Sequence, residues 1–194
     1  MKKIPTLFER DFKNGKVVGI TDKVYPGMEW VLEGKGEATV KWDGSCCAII
    51  DGKFYRRYDA KKGRKPPEGA IPCCDPDPVT GHHPHWVLID KDDPQNKWFV
   101  NAFVNTASVF PMMDGTYEAL GPAFNGNAHG LDENILRLHG MDFLRNCPRH
   151  FDGIMEYLSM NPIEGIVFWK DGEPKCKIKR SDFGFVWPVE IKHG

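Results

Sequence analysis

Asp-Gly pairs set between short apolar runs restrict the fold of this chain more than any other feature. Asp51-Gly52 divides Cys46–Ile50 from Lys53–Tyr58, and Asp171-Gly172 divides Gly165–Trp169 from Lys175–Lys179. Each pair suits the tight reversal of a two-residue hairpin, so the flanking runs read as antiparallel partners. Asp43-Gly44 turns the chain again after a strand over Glu37–Lys41, and a short strand Thr116–Leu120 sits between Gly115 and Gly121. Phe151, Ile154, Met155 and Leu158 fall at i, i+3, i+4 and i+7, the spacing of a helix with one buried face. Lys97–Val109 is apolar and fits strand or helix equally. Lys61–His85, rich in Gly, Pro, Lys and His without periodicity, predicts a long loop of the kind that serves as a lid or binding segment. With no repeat, low-complexity tract or linker, the pattern predicts a single α+β domain over residues 1–194, mostly antiparallel.

The chain is long enough to bury most of its own core, and no apolar run approaches the ~18 residues of a membrane-spanning helix. The opening MKKIPTLFERDF turns acidic quickly and lacks an apolar h-region, so it does not read as a secretory signal. The six cysteines include the adjacent pairs Cys46-Cys47 and Cys73-Cys74, which rarely bridge each other; reduced thiols in a cytoplasmic compartment are expected. A net charge of −1 argues against a general cationic coat. It conceals two basic segments, however. Lys53–Lys65 carries seven basic residues against one acidic, and Lys175–Arg180 carries four against none. Positive charge concentrated on an acidic body suits a focused anionic ligand.

Lys41, in VKWDG, interrupts an otherwise apolar strand, and a lysine facing a core must be neutralised, paired or used. Glu118 in GTYEALG, and Glu164 with Lys177 and Lys179 in IEGIVFW and CKIKR, likewise place charge on or beside short strands. A lysine, two carboxylates and a lysine pair are what nucleotidyl transfer requires. A neutral amine can attack the α-phosphorus of a nucleoside triphosphate and release pyrophosphate. Neighbouring cations balance the phosphate charge and favour the neutral amine, and carboxylates hold the divalent metal.

These residues carry a resemblance. Lys41-Trp42-Asp43-Gly44 resembles the KxDG nucleophile motif of covalent nucleotidyltransferases: ATP-dependent DNA ligases, RNA ligases and mRNA capping enzymes. Tyr117-Glu118 with Gly121, Glu164-Gly165-Ile166-Val167 and Lys177-Ile178-Lys179 follow in the order of the third, fourth and fifth motifs. KWDGSCC, EALGPAFNGNAHGL, PIEGIVFW and CKIKRSDFGFVWP are similar to a compact, single-domain family of 5′-to-3′ RNA ligases. The resemblance implies a nucleotidyltransferase (ATP-grasp-like) core of two antiparallel β-sheets flanked by helices, with the nucleotide in the cleft between them. It implies ATP and Mg²⁺ (or Mn²⁺), and RNA with 5′-phosphate and 3′-hydroxyl ends, joined by a monomer through lysyl-AMP and an adenylated RNA 5′ end. Lys41 would be the nucleophile. Val40, Asp43, Gly44, Arg57, Glu118, Lys177 and Lys179 would contact the nucleotide, and Glu118 and Glu164 the metal. Arg56, beside Arg57, is also placed to reach phosphate or the RNA 5′ end. Only 17 residues follow Lys177, so no C-terminal OB domain is expected, and with it RNA ligase is expected over DNA ligase or capping enzyme. Many ligases carry Arg or Asn where this chain has Cys46, and Arg57 is expected to supply that contact.

Other readings attach to the same residues. A guanylyltransferase or other nucleotidyl-transfer enzyme, or a degenerate nucleotide-binding module, would use much of the same set. Taken singly, Lys41 fits an edge or snorkelling lysine, Glu118 and Glu164 fit surface carboxylates, and Lys177 with Lys179 fits a solvent-facing strand. Cys73-Cys74 with His82, His83 and His85 offers zinc-ligand types, but adjacent cysteines fit zinc geometry poorly. Trp42, Phe168 and Trp169 read as core; one aromatic is expected to stack on adenine, and the sequence does not single it out, Phe124 being one candidate.

Overall fold

A computed structural model describes residues 3–189. In chain order its strands are β1 (Phe8–Lys13), β2 (Lys16–Val24), β3 (Glu37–Lys41), β4 (Ser45–Ile50), β5 (Lys53–Ala60), β6 (Ile71–Pro72), β7 (His83–Leu88), β8 (Gly115–Leu120), β9 (Ile135–Leu138), β10 (Gly165–Lys170) and β11 (Glu173–Lys179). The helices are α1 (Glu29–Leu32), α2 (Lys97–Ala107) and α3 (Phe151–Met160). The fold is α+β, and every pairing between these strands is antiparallel. At the expected hairpins both turn residues take positive φ: 51° and 69° at Asp51-Gly52, 55° and 75° at Asp171-Gly172. This is the type I′ geometry that the sequence pair permits.

The described residues form two compact units, one discontinuous (from Ile4 to Trp42, and from Gly140 on) and one inserted (Asp43–His139, with Lys3). The discontinuous unit holds the sheet β11-β10-β3 and the ribbon β1-β2. One face of the three-stranded sheet buries Ala38, Ile166, Phe168, Cys176 and Ile178 against Ile154 and Leu158 of α3 and Leu7 and Phe8 of the amino-terminal segment. Phe168 is wholly buried, and its truncation to alanine would cost about 3–5 kcal/mol. Ile154 and Leu158 are equally buried, but Met155 is 36% exposed, so the buried stripe of α3 is narrower than its spacing suggests. The outer edge of β11 is covered, since Leu7 N–H donates to Lys177 O (2.7 Å) and Lys177 N–H to Pro5 O (3.0 Å).

The inserted unit is one six-stranded sheet in the order β6-β7-β5-β4-β8-β9. Lys97–Ala107 is a helix. Phe99, Ala102 and Phe103 lie at helical spacing and pack with Cys47, Ile49, Tyr117, Ala119 and Leu136. It follows a 3₁₀ turn in which the Asp93 side chain accepts from Gln95 N–H at 2.9 Å and Pro94 occupies the first position. The expected loop Lys61–His85 is corrected at its end: β6 interrupts it and β7 begins at His83. Pro84 has no N–H to give the sheet, yet its carbonyl accepts from Cys73 N–H (2.9 Å).

Candidate active site

Within the discontinuous unit, register gathers three lysines on one face of the sheet. Gly165 stands opposite both Lys41 and Lys179, and Val167 opposite both Thr39 and Lys177. Directly opposed residues share a face, so Lys41, Lys177 and Lys179 project away from the core side. None of the three is fully exposed. Gly165 keeps the rung between Lys41 and Lys179 open, and a Cβ there would lie 2.2 Å from the Ile178 carbonyl oxygen. Glu164 is 6% exposed. Its Oε2 meets Lys41 Nζ at 2.5 Å and its Oε1 meets Lys179 Nζ at 3.7 Å. One buried carboxylate therefore serves a three-lysine face. Burial, then the charges of Lys41 and Lys179, push the Lys177 ammonium down to about 8, against the opposing pull of Glu164 and Asp182. Such a face is built to receive a polyanion.

Val40 does not join this group. Alternation turns its side chain to the opposite face from Lys41, and its N–H donates to Asp142 O at 2.9 Å. Trp42 donates from Nε1 to Asp142 Oδ2 (2.8 Å).

The inserted unit begins with the rest of the Lys-Trp-Asp-Gly motif. Asp43 N–H donates to His129 Nε2 (2.9 Å), and Asp43 Oδ1 accepts from Asn125 Nδ2 (2.6 Å). Gly44 N–H donates to Glu118 Oε1 (3.1 Å). A side chain at residue 44 would put Cβ 2.2 Å from Ala119 O and 2.7 Å from Leu120 Cδ2, so only glycine allows the turn to lie this close to β8. A carboxylate only accepts, so His139 Nε2 carries the proton it donates to Glu118 Oε2 (3.0 Å); its Nδ1 lies 3.0 Å from Thr116 Oγ1.

A single row of residues crosses this sheet. The registers pair Ile71 with Trp86, Trp86 with Arg57, Cys46 with Glu118, and Glu118 with Arg137. The Cys47–Arg56 pairing sets Cys46 opposite Arg57. Cys46 thus sits between a guanidinium and a carboxylate. Burial first, then the Glu118 charge, hold its thiol neutral, up to about 12. Arg57 is clamped in two-pronged fashion by Asp59, with Nε to Oδ1 and a terminal nitrogen to Oδ2, both at 2.9 Å. Arg56 points to the other face, yet both arginines line one concavity of about 440 Å³ with Gly44, Cys46, Phe99 and Glu118.

Phe124 is 5% exposed and packs edge-on against Phe99 with centroids 5.1 Å apart, so it has no free ring face for adenine. Phe99 is the aromatic that reaches the concavity. Sequence reasoning missed the parts played by Asn125, His129 and His139; all act through contacts more than 20 residues away in sequence, and no local spacing announces them. Among the described residues, no group of three or more His, Cys, Asp or Glu is placed to hold a metal. That includes the cysteines and histidines of residues 73–85. No described helix is long and apolar enough to cross a membrane.

No family model matches the chain. It is, however, distantly similar to RNA ligases. It is 30% identical to RNA ligase 1 of Danio rerio over 139 positions, covering 56% of this chain and 43% of that protein. It is 25% identical to RNA ligase 1 of Mus musculus over 223 positions, covering 78% of this chain and 68% of that one. RNA ligase 1 of Pongo abelii matches at 25% with the narrower coverage, so the chain spans less than half the length of two of these relatives.

Proposed function

We propose that this chain is the adenylating core of an ATP-dependent RNA ligase, joining 5′-phosphate to 3′-hydroxyl RNA ends. The observation that carries the proposal is the convergence of Lys41, Lys177 and Lys179 on one sheet face around the buried Glu164. Similarity to the RNA ligase 1 proteins supports the choice of RNA.

Lys41 Nζ, after losing its proton, attacks the α-phosphorus of ATP. A P–N bond forms, the P–O bond to pyrophosphate breaks, and lysyl-AMP results. The proton passes to water, and Glu164 Oε2, 2.5 Å from Nζ, fixes the position of the amine. Lys177 and Lys179 balance the α-phosphate charge. An oxygen of the RNA 5′-phosphate then displaces the lysine, forming a phosphoanhydride and breaking the P–N bond. Finally the 3′-hydroxyl attacks the 5′-phosphate, releasing AMP and sealing the strand. In the inserted unit, Asp43 and Gly44 shape the turn, Glu118 is assigned to the ribose or a metal, and Arg57 to phosphate.

The donor set fits a hard divalent ion. Mg²⁺ takes one or two carboxylates and completes its shell with phosphate oxygens and water, so Glu164 suffices without a protein-only cage. Such an ion would neutralise the leaving pyrophosphate.

Mass spectrometry after incubation with ATP and Mg²⁺ tests the reading. The wild type should carry one AMP on Lys41, and Lys41→Ala none. Lys41→Arg should also fail, because a guanidinium cannot surrender its proton. Adenylation of either variant at the wild-type level would sink the proposal, and labelling from GTP alone would move it to guanylyl transfer.

A further inference from the structure

The inserted unit carries a second cationic surface, on the opposite face of β5 from Arg57. Alternation places Arg56, Tyr58 and Ala60 together on that face, and the registers Tyr58–His85 and Ala60–His83 add two histidines. The two imidazoles touch, with ring centroids 4.2 Å apart. The face ends in a concavity of about 220 Å³ lined by Lys61, Arg64, His83 and His85 with Ala60 and small loop residues, and no carboxylate lines it. His85 is 5% exposed. Its Nδ1 lies 2.8 Å from the His83 carbonyl oxygen, a bond that requires the proton on Nδ1. The ring is therefore fixed, and Nε2 is the polar atom it has left to offer the concavity.

Arg56 and Ala60 lie about 13 Å apart along the strand. Cations interleaved with aromatic faces over such a span are how proteins hold single-stranded nucleic acid: phosphates against Lys and Arg, bases on rings. We infer that this face holds a single RNA strand by its backbone, with one phosphate seated in the concavity between Lys61 and Arg64. The inference rests on the RNA ligase reading and adds to it a subsite outside the reacting atoms.

The probe is a fluorescein-labelled single-stranded RNA without a 5′-phosphate, which cannot be adenylated, followed by anisotropy across a salt series. AMP labelling of Lys41 is measured on the same samples. Lys61→Ser/Arg64→Ser should bind about tenfold more weakly at low salt, and its log K against log salt slope should fall by about 0.7, the share of the one phosphate lost. AMP labelling should not change. Lys13→Ser/Lys16→Ser, which removes equal charge from the β1–β2 ribbon, should leave affinity nearly intact. Wild-type affinity and slope in the Lys61/Arg64 variant, or an equal loss in the ribbon variant, would overturn the subsite. Wild-type protein that labels Lys41 but binds no RNA overturns it too, while leaving nucleotidyl transfer standing. RNA binding that depends on Lys61 and Arg64 without any AMP labelling overturns the ligase reading and leaves the subsite.

Discussion

Lys177→Met should make this protein more stable and abolish its adenylation. The Lys177 ammonium is held at about 8 rather than 10.5, by burial first and then by the charges of Lys41 and Lys179. At about 1.36 kcal/mol per pH unit, the gap between 10.5 and about 8 weighs on the native state by about 3 kcal/mol. Partial exposure of the side chain trims this to about 2 kcal/mol. The pH window follows from the direction of the shift. Between pH 8 and 10.5 the unfolded chain still binds the proton that the native state has lost, so stability rises with pH across that range. Below pH 8 both states are protonated and the penalty is constant; above 10.5 it is gone. Methionine keeps the apolar stem, and the backbone bonds of residue 177 to Leu7 and Pro5 do not involve the side chain. Denaturant unfolding of both proteins across this pH range is the assay. The variant should be about 2 kcal/mol more stable at neutral pH, with the difference closing above pH 8, and it should form no lysyl-AMP. A variant no more stable than wild type at neutral pH, or a difference that ignores pH, would refute the reasoning.

Two further outcomes follow from close contacts and burial. Gly44→Ala drives a Cβ into Ala119 O and Leu120 Cδ2, and should lower stability by about 1–3 kcal/mol in thermal unfolding. It should also slow AMP labelling, because the turn must shift and draw the residue 44 N–H away from Glu118 Oε1; unchanged melting and labelling would show that the turn tolerates a side chain. Cys176, wholly buried and held neutral to about 12 by burial, should resist iodoacetamide at neutral pH in the folded protein and react on denaturation; rapid modification of the folded protein would contradict its burial.

The sequence announced strands where a turn signal and an apolar run coincided, and was silent where only one was present. Cys46–Ile50 and Gly165–Trp169 have both, and the structure places strands there to within a residue. Asn14-Gly15 is as strong a hairpin signal as either Asp-Gly pair, with φ of 52° and 73°. Its flanks carry little apolar patterning, because β1 and β2 are mostly exposed and only their base, at Phe8, Ile20 and Val24, joins the core. The division into two units was not legible either. It falls at Trp42-Asp43 and His139-Gly140, inside a motif and beside a strand, where no compositional linker could mark it.

Legibility of the site has the same cause. Lys177 and Lys179 meet Glu164 across one hairpin, so period-2 spacing and hairpin register bring them together from the sequence outward, whereas Lys41 joins them through the β3–β10 pairing, 123 residues from Glu164. Arg57 meets Cys46 across the Asp51-Gly52 hairpin, but Glu118 enters the row through the distant β4–β8 pairing, which cannot be read until the registers are known. This is why Cys46 looked anomalous in isolation. With Arg57 opposite it and held by Asp59, the row already has a guanidinium beside residue 46. An arginine at residue 46 would set two guanidiniums side by side at the cost of mutual repulsion. A thiol there is small and uncharged, and leaves Arg57 and Glu118 room on either side.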